Sequence, residues 1–321
     1  MTSLTAAMLA PPRVSVPVDG GELTVGLWNG GSAGQPSVLA IHGITANHRC
    51  WAHVADQLPE VRLIAPDLRG RGLSNTLGPP YGLDQHVLDL IAVLDHLGEK
   101  SVAVVAHSMG AFVAVLLAAR HPERVASLTL VDGGLPLELP STVPRDQSKG
   151  EQARSPDAMA LLGPAAQRLS MQFTSHEAYR DFWREHPAFR DHWNAVVEGY
   201  VDYDLQGTAP TLQPSGVLAA VSTDVVELYG GDFYVDALAS IRVPTTFVRA
   251  PRGLLNEPAA LYASDRAHRE PRVAGMMVVE VDEVNHYTIL FERAGAIAVA
   301  REVRAALGER AGSPVEPQQI A

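Results

Sequence analysis

The chain has 321 residues, a formal net charge of −11 and a single cysteine. This length suits one sizeable domain with an insertion, or two small domains. The negative charge argues against nucleic acid or a membrane surface as partner, and one cysteine excludes an internal disulfide and a cysteine metal site. No apolar run is long enough to span a bilayer, and residues 1–10 lack the basic start of a signal peptide, so we expect a cytoplasmic protein.

The first part of the chain alternates predicted strands with a predicted helix. Two strands fit within Val14–Trp28, on either side of a glycine turn, and short apolar runs at Ser37–Ile41 and Val61–Ala65 predict two more. Leu83–Leu97 carries apolar residues at helical spacing and is followed by Gly98, a common helix stop. This alternation predicts an α/β fold with a mostly parallel sheet and right-handed crossovers.

A strand, a tight turn and a helix follow one another around Ser108. Val102–Ala106 is apolar and rich in valine, and Ala111–Arg120 is rich in Ala and Leu. A serine between such elements stands exposed on a strained turn at the carboxyl edge of a parallel sheet, where nucleophilic serines lie. The usual Gly-x-Ser-x-Gly motif reads Ala-His-Ser-Met-Gly here, with Ala106 in place of the first glycine. The plainer interpretation is a serine that caps a helix, but the flanking elements favour a nucleophile.

The alternation changes after the next predicted strand, Ala126–Val131, which ends at Asp132. Residues 155–238 show helical spacing, and strand patterns return only after them. The further predicted segments are helices at Asp157–Phe173, Ser175–Val201, Val217–Tyr229 and Ala294–Leu307, and strands at Thr245–Arg249 and Met276–Val281.

These segments predict an α/β core interrupted by a helical insertion. The core comprises residues 1–135 and 239–321, and the helical cap comprises residues 136–238. Residues 135–150 are rich in proline, serine and charge, which indicates a linker, and the polar tail after residue 308 is expected to fray.

A serine nucleophile needs a base and a carboxylate that orients the base. His286 fits the base, because it lies in a short polar loop after the last predicted strand. The chain has 12 histidines, and His107 is the main competitor. As the neighbour of Ser108 it points off the turn, so we interpret it as packing or hydrogen bonding within the core.

Four motifs in chain order resemble those of the α/β-hydrolase family. They are His42-Gly43 after a predicted strand, the run from Pro66 to Ser74, the turn at Ser108, and Asn285-His286. The resemblance covers nearly the whole chain and implies a sheet of about eight strands, a lid after the sixth strand, and hydrolysis by Ser, His and an acid. It implies no cofactor and no metal. We interpret the Asp67–Ser74 run as a turn held by pairing of Arg and Asp.

The same resemblance implies that the backbone N–H groups of Ile44 and Met109 form the oxyanion hole. The sequence offers two candidates for the acid, Asp132 and Glu257. Most members carry an Asp in the turn after the lid, where this chain has Asn256 and Glu257. Asp132 instead ends the sixth strand, an arrangement similar to haloalkane dehalogenases and zearalenone-type lactonases. We favour Asp132 and keep Glu257 as the alternative; an Asp capping a glycine-rich turn is the plainer interpretation.

The insertion is rich in aromatic residues, although the chain is only 6% aromatic. Most of these rings must pack inside the insertion, but they also predict a roomy, apolar pocket. The candidate pocket residues are Trp51, Trp183, Trp193 and Tyr200.

We expect a serine hydrolase that cleaves an uncharged, apolar ester or lactone through an acyl-enzyme, with Ser108, His286 and Asp132 as the triad. The sequence leaves open a carbon–carbon bond hydrolase, a thioesterase or a perhydrolase on the same triad. A non-catalytic small-molecule binding protein is the alternative from another class. The sequence also leaves the oligomeric state open, with a homo-oligomer as one of the alternatives.

Overall fold

The computed structural model describes residues 5–30, 34–138, 161, 164–266 and 275–312. Within them lies an eight-stranded sheet. Its strands in chain order are β1 (Arg13–Val18), β2 (Gly21–Trp28), β3 (Ser37–Ile41), β4 (Arg62–Pro66), β5 (Val102–His107), β6 (Val125–Val131), β7 (Thr245–Arg249) and β8 (Met277–Glu280). Two separate two-residue strands, Leu205–Gln206 and Gln213–Pro214, pair with each other.

The spatial order of the large sheet is β1-β2-β4-β3-β5-β6-β7-β8. β2 is antiparallel to both of its neighbours, and the other neighbouring pairs are parallel. The prediction of a mostly parallel sheet of about eight strands is therefore confirmed. Each predicted strand is present within one or two residues of its expected bounds.

Helices cover both faces of this sheet. They are α1 (Ala6–Leu9), α2 (Ala52–Asp56), α3 (Leu83–His96), α4 (Met109–Arg120), α5 (Pro164–Leu169), α6 (His176–Arg184), α7 (Ala195–Asp204), α8 (Leu218–Glu227), α9 (Asp232–Ser240), α10 (Thr288–Phe291) and α11 (Arg293–Gly312). The central strand β5 is buried on both faces: Val104 packs in the apolar cluster with α3 and α4, and Val105 in the cluster with α2 and α11. In the part of the chain described here, no helix has the length and apolar character needed to cross a membrane.

The segment between β6 and β7, called the insertion below, differs in part from the sequence prediction. The single helix predicted for Ser175–Val201 is wrong, because α6 ends at Arg184 and α7 begins at Ala195. Pro187 lies between them and cannot continue a helical hydrogen-bond ladder. Asn194 then starts α7 by accepting from two N–H groups of its first turn. Most of the predicted linker at 135–150, and the first part of the predicted helix at 157–173, lie outside the described residues.

The helical spacing predicted up to residue 238 included no separate helix at the position of α9, which packs on the α/β core. Its Tyr234 ring lies 5.1 Å from the ring of Phe112 on α4, and the Tyr234 hydroxyl donates to the carbonyl of Gly134. The predicted boundary at residue 238 falls inside this helix. The division into core and cap stays a prediction.

The register of the parallel strands brings four strand ends to one edge. Ile41 pairs with Ala106, His107 with Val131, and Val131 with Val248. The residues that follow β3, β5 and β6 therefore meet at the carboxyl edge of the sheet, where open parallel sheets place their ligand sites.

Candidate active site

Ser108 joins β5 to α4 in a strained backbone conformation. Its φ is 54° and its ψ is −125°, in a region that non-glycine residues rarely adopt. Two glycines make this turn possible: a Cβ on Gly110 would lie 2.3 Å from the carbonyl oxygen of Ile41, and one on Gly133 would lie 2.2 Å from that of Ser108. Such strain costs on the order of 1–3 kcal/mol and occurs mainly at functional sites.

His286 and Asp132 meet at this edge. His286 Nδ1 lies 2.7 Å from Asp132 Oδ2, and both side chains are buried. The other carboxylate oxygen, Oδ1, accepts from the N–H of Ala250, just after β7, at 3.2 Å. Because a carboxylate only accepts, Nδ1 carries the proton and Nε2 is left as the acceptor in the neutral ring.

Glu257 lies elsewhere. It is exposed, and its Oε2 accepts from the N–H of Leu255 at 2.7 Å within its own turn. Of the two carboxylates considered from the sequence, Asp132 is the one that the structure places against the imidazole. The catalytic roles of both stay a proposal.

The loop that carries His286 is braced by amide side chains. Asn285 Oδ1 accepts from the N–H groups of Tyr287 and Thr288, both at 2.9 Å. Its Nδ2 donates to the carbonyl of Ala188 and, at 3.3 Å, to Asn256 Oδ1. Asn256 lies in the turn after β7, where most members of the family were expected to carry an acid, and it helps to hold the histidine loop. The sequence analysis did not identify this role, although it did show an amide, Asn256, at the position expected for an acid.

His107 supports the same loop from the core. Its Nε2 lies 2.9 Å from the main-chain oxygen of His286, and the two rings lie 4.6 Å apart. Burial lowers the pKa of His107 well below its usual range, so the ring is neutral and Nε2–H is the donor. The interpretation of His107 as a hydrogen-bonding core residue is confirmed.

The turn after β3 lies directly beside Ser108. A Cβ on Gly43 would come within 3.1 Å of the Ser108 Cβ. His42 Nε2 accepts from the N–H of Leu68 at 2.9 Å, so its Nδ1 donates to the carbonyl of Gly43 at 2.8 Å. Burial lowers the pKa of His42 to about 4, which keeps the ring neutral. Since a trans peptide points its N–H away from its carbonyl, this bond fixes the direction of the Ile44 N–H.

Met109, the other expected oxyanion residue, begins helix α4. The first N–H groups of a helix have no partner within it and carry partial positive charge. A helix start next to a reacting serine can therefore stabilise negative charge on a substrate oxygen.

The Asp67–Ser74 run is held by buried ion pairs, which confirms its interpretation as a braced turn. Arg69 forms a two-pronged bond to Asp89, with distances of 2.9 and 2.8 Å. Asp67 lies 2.8 Å from His48 and accepts from the Tyr203 hydroxyl of α7 at 2.6 Å. Burial opposes ionisation of Asp67, but the electrostatic interaction with His48 and these hydrogen bonds outweigh it and lower the pKa of Asp67 to about 2.

The four candidate pocket residues occupy different surroundings. Trp183 is buried, and its ring centroid lies 6.5 Å from that of Tyr287, which follows His286 in the chain. The Trp193 ring instead lies 5.0 Å below the Arg184 guanidinium, among the charged side chains of the insertion. Trp51 and Tyr200 are buried in the apolar cluster around α2 and α11. Their roles as pocket residues stay predictions.

An open groove of about 620 Å³ lies on the insertion beside Trp183, and its lining is mainly apolar. The lining residues include Phe173, Phe182 and His186. The His186 ring lies 5.6 Å from the Tyr287 ring, so the groove adjoins the histidine loop. Over the described residues, no group of three or more His, Cys, Asp or Glu side chains is placed to hold a metal ion.

The chain belongs to the alpha/beta hydrolase fold family, whose model matches residues 36–199. Among curated proteins it is 44% identical to Lipase LipV of Mycobacterium tuberculosis over 108 residues, which is 34% of this chain and 41% of the lipase. It is 35% identical to a haloalkane dehalogenase of Mesorhizobium japonicum over 130 residues, 40% of this chain and 41% of that protein. The matches therefore span about two fifths of these relatives' length.

Solved structures show the same fold over nearly the whole chain. The thioesterase domain from the curacin biosynthetic pathway superposes with a TM-score of 0.69 at 23% identity, covering 91% of this chain and 99% of that domain. E-2-(Acetamidomethylene)succinate hydrolase superposes with a TM-score of 0.67 at 20% identity, covering 92% and 98%. At this identity the likeness shows the fold alone.

Proposed function

We propose that this protein hydrolyses carboxylic esters or lactones through a Ser108–His286–Asp132 triad. The observation that carries the proposal is the 2.7 Å bond between His286 and Asp132 at the sheet edge where Ser108 stands on its strained turn. This geometry supports a serine nucleophile with an oriented imidazole base. The match to a lipase, a protein named for ester hydrolysis, supports the same reaction class.

The proposed reaction has two halves. Ser108 Oγ attacks the ester carbonyl while His286 Nε2 takes the hydroxyl proton, and the N–H groups of Ile44 and Met109 stabilise the oxyanion. His286 then gives that proton to the leaving alcohol, which departs and leaves an acyl-enzyme on Ser108. Water attacks the acyl group with His286 again as base, and the acid is released with Ser108 regenerated.

We further propose that the insertion supplies the substrate pocket. The rings of Trp183, Phe189 and Tyr287 pack against one another, and the Tyr287 ring lies 5.6 Å from the ring of His286. Such a wall suits an apolar acyl or alcohol group. The serine at the turn argues against dehalogenase chemistry, which uses a carboxylate nucleophile.

A substrate panel with a matched pair of variants tests this proposal. The panel contains p-nitrophenyl esters, aryl esters, acyl-thioesters and macrolactones, assayed with wild type, Ser108→Ala and Ser170→Ala. Ser170 is an exposed serine of the insertion and serves as the control. We expect ester or lactone turnover by wild type and Ser170→Ala, and none above background by Ser108→Ala. Equal turnover by Ser108→Ala, or activity on thioesters alone, would contradict the proposal.

A further inference from the structure

One buried guanidinium lies between the insertion and the turn after β3. Arg71 is fully buried, and its Nε donates to the carbonyl of Ile44 at 2.8 Å. Its Nη1 donates to the carbonyl of Arg69, and its Nη2 lies 3.9 Å from Met109 Sδ. Arg71 therefore touches both residues whose N–H groups are proposed to bind the oxyanion.

Asp224 of helix α8 holds this guanidinium in place. Its Oδ2 lies 2.5 Å from Arg71 Nη2 and 2.9 Å from His86 Nε2, and its Oδ1 accepts from the N–H of Gly82. Burial opposes ionisation of Asp224, but the charge of Arg71 outweighs it and lowers the pKa of Asp224 to about 2. A buried charge without a partner is strongly destabilising, so the position of Arg71 depends on helix α8.

Helix α8 is also packed closely against the core. Ile44 contacts the apolar cluster formed by Val221 and Val225, which lie on the same helix as Asp224. The N–H of Val217, just before the helix, donates to the carbonyl of Gly70 at 2.8 Å. A Cβ on Gly70 would lie only 2.6 Å from the Ala220 Cβ. Both ionic and apolar contacts thus connect α8 to the oxyanion turn.

We propose that Arg71 and Asp224 are positioning residues for the oxyanion hole, which is complete only when helix α8 is docked. The carbonyl before the Ile44 N–H is fixed by His42, and the carbonyl after it is fixed by Arg71. With both flanking peptides held, the N–H of Ile44 cannot turn away from the reacting carbonyl. This inference rests on the proposed hydrolase function.

The same turn provides a matched control. Arg69 and Asp89 form a second buried ion pair, with exposed fractions of 1% and 2%. The other donors of Arg69 go to the carbonyls of Gly78 and Asp19. This pair therefore resembles Arg71–Asp224 in burial and charge but bonds to neither Ile44 nor Met109 among the described contacts.

The experiment compares Arg71→Met/Asp224→Asn with Arg69→Met/Asp89→Asn. Each double variant removes both charges, so neither leaves an unpaired buried ion. The readouts are kcat and KM for the best ester, the inhibition constant of a boronic acid that forms a tetrahedral adduct on serine, and the melting temperature. For the Arg71–Asp224 variant we expect kcat to fall by about tenfold to a hundredfold, the boronic acid to weaken by a similar factor, and KM to change less than about threefold.

The control variant should keep kcat and boronic acid binding within about threefold of wild type. If the first variant does not fold, Arg71→Lys replaces it, because lysine keeps the charge beside Asp224 but lacks the Nε donor for Ile44. Equal losses of kcat in both pairs, or a loss confined to KM, would overturn the inference. Ser108→Ala is measured in the same experiment. If it is as active as wild type, both the proposed function and the inference fail. If Ser108→Ala is inactive but the Arg71 variants are unaffected, only the inference is overturned.

Discussion

Polar groups are held differently at the carboxyl edge of the sheet and at the contact between core and insertion. At the edge, the imidazoles of His42 and His107 are neutral and bond to main-chain groups. At the contact with the insertion, Asp67 accepts a hydrogen bond from the Tyr203 hydroxyl, and Asp224 forms an ion pair with Arg71. Charged side chains therefore connect the core to the insertion. At the edge these two rings are held by main-chain groups, whereas the boundary is held by pairs of side chains that are far apart in sequence.

This difference suggests that the two regions have different functional roles. The edge carries Ser108, His286 and Asp132, so changes there should act on the chemical step. The insertion carries the aromatic wall around Trp183, so changes there should act on substrate choice. The predictions below test this division, beginning with the largest expected effect.

Substitutions of the two candidate carboxylates, Asp132 at the edge and Glu257 in its exposed turn, are expected to differ by orders of magnitude in their effect on kcat. Asp132→Asn should lower kcat by about ten-thousandfold, because an amide at that place favours the wrong imidazole tautomer. Glu257→Gln should stay within about threefold of wild type, because Glu257 bonds to its own turn. Steady-state kinetics on the best ester measures both. The reverse ranking would show that Glu257, in the turn after β7, is the acid.

The edge was largely predictable from sequence because its signals are local. The strand before Ser108, the glycine after it and the asparagine before His286 are all visible within a few residues. The boundary was not predictable, since Asp67 meets Tyr203 and Arg71 meets Asp224 only through the fold. The break between α6 and α7 was missed because apolar spacing continued past Pro187, whose effect on the backbone outweighed that pattern.

The two regions should also respond to acid at different pH. The folded pKa of His42 is about 4, below its ordinary 6.5, so the unfolded chain takes up a proton that the folded protein excludes. The free energy of unfolding should therefore fall as pH drops from about 6.5 to 4, by on the order of 3 kcal/mol from His42 alone. The carboxylates Asp67 and Asp224, with pKa values of about 2, lose their contribution only as pH falls below about 4.

Urea unfolding at pH 7 and pH 4.5 measures this effect. His42→Asn should flatten the pH dependence of the free energy of unfolding between these two pH values. An equal pH dependence in wild type and His42→Asn would show that the neutral imidazole at the edge does not control stability in this range.

Within the insertion, substitutions of Trp183 and Trp193 should affect KM differently, because the two rings have different surroundings. Trp183→Ala should raise KM for bulky esters by about tenfold and alter their ranking against small ones, because a ring beside Tyr287 is removed. Trp193→Ala should change KM less, since Trp193 packs against Arg184. Both variants should react with a small fluorophosphonate at nearly the wild-type rate. If labelling is lost in Trp183→Ala, that ring supports the edge itself and the division between the regions does not hold.

The central claim is that Ser108, at the carboxyl edge of the sheet, is the catalytic nucleophile. The most direct test of this claim is covalent labelling of its side chain. Wild type and Ser108→Ala are treated with a fluorophosphonate, and the adduct is located by mass spectrometry of the digested protein. We predict one adduct per wild-type chain, on the peptide containing Ser108, and no adduct on Ser108→Ala. An adduct on another residue, or equal labelling of Ser108→Ala, would contradict the account.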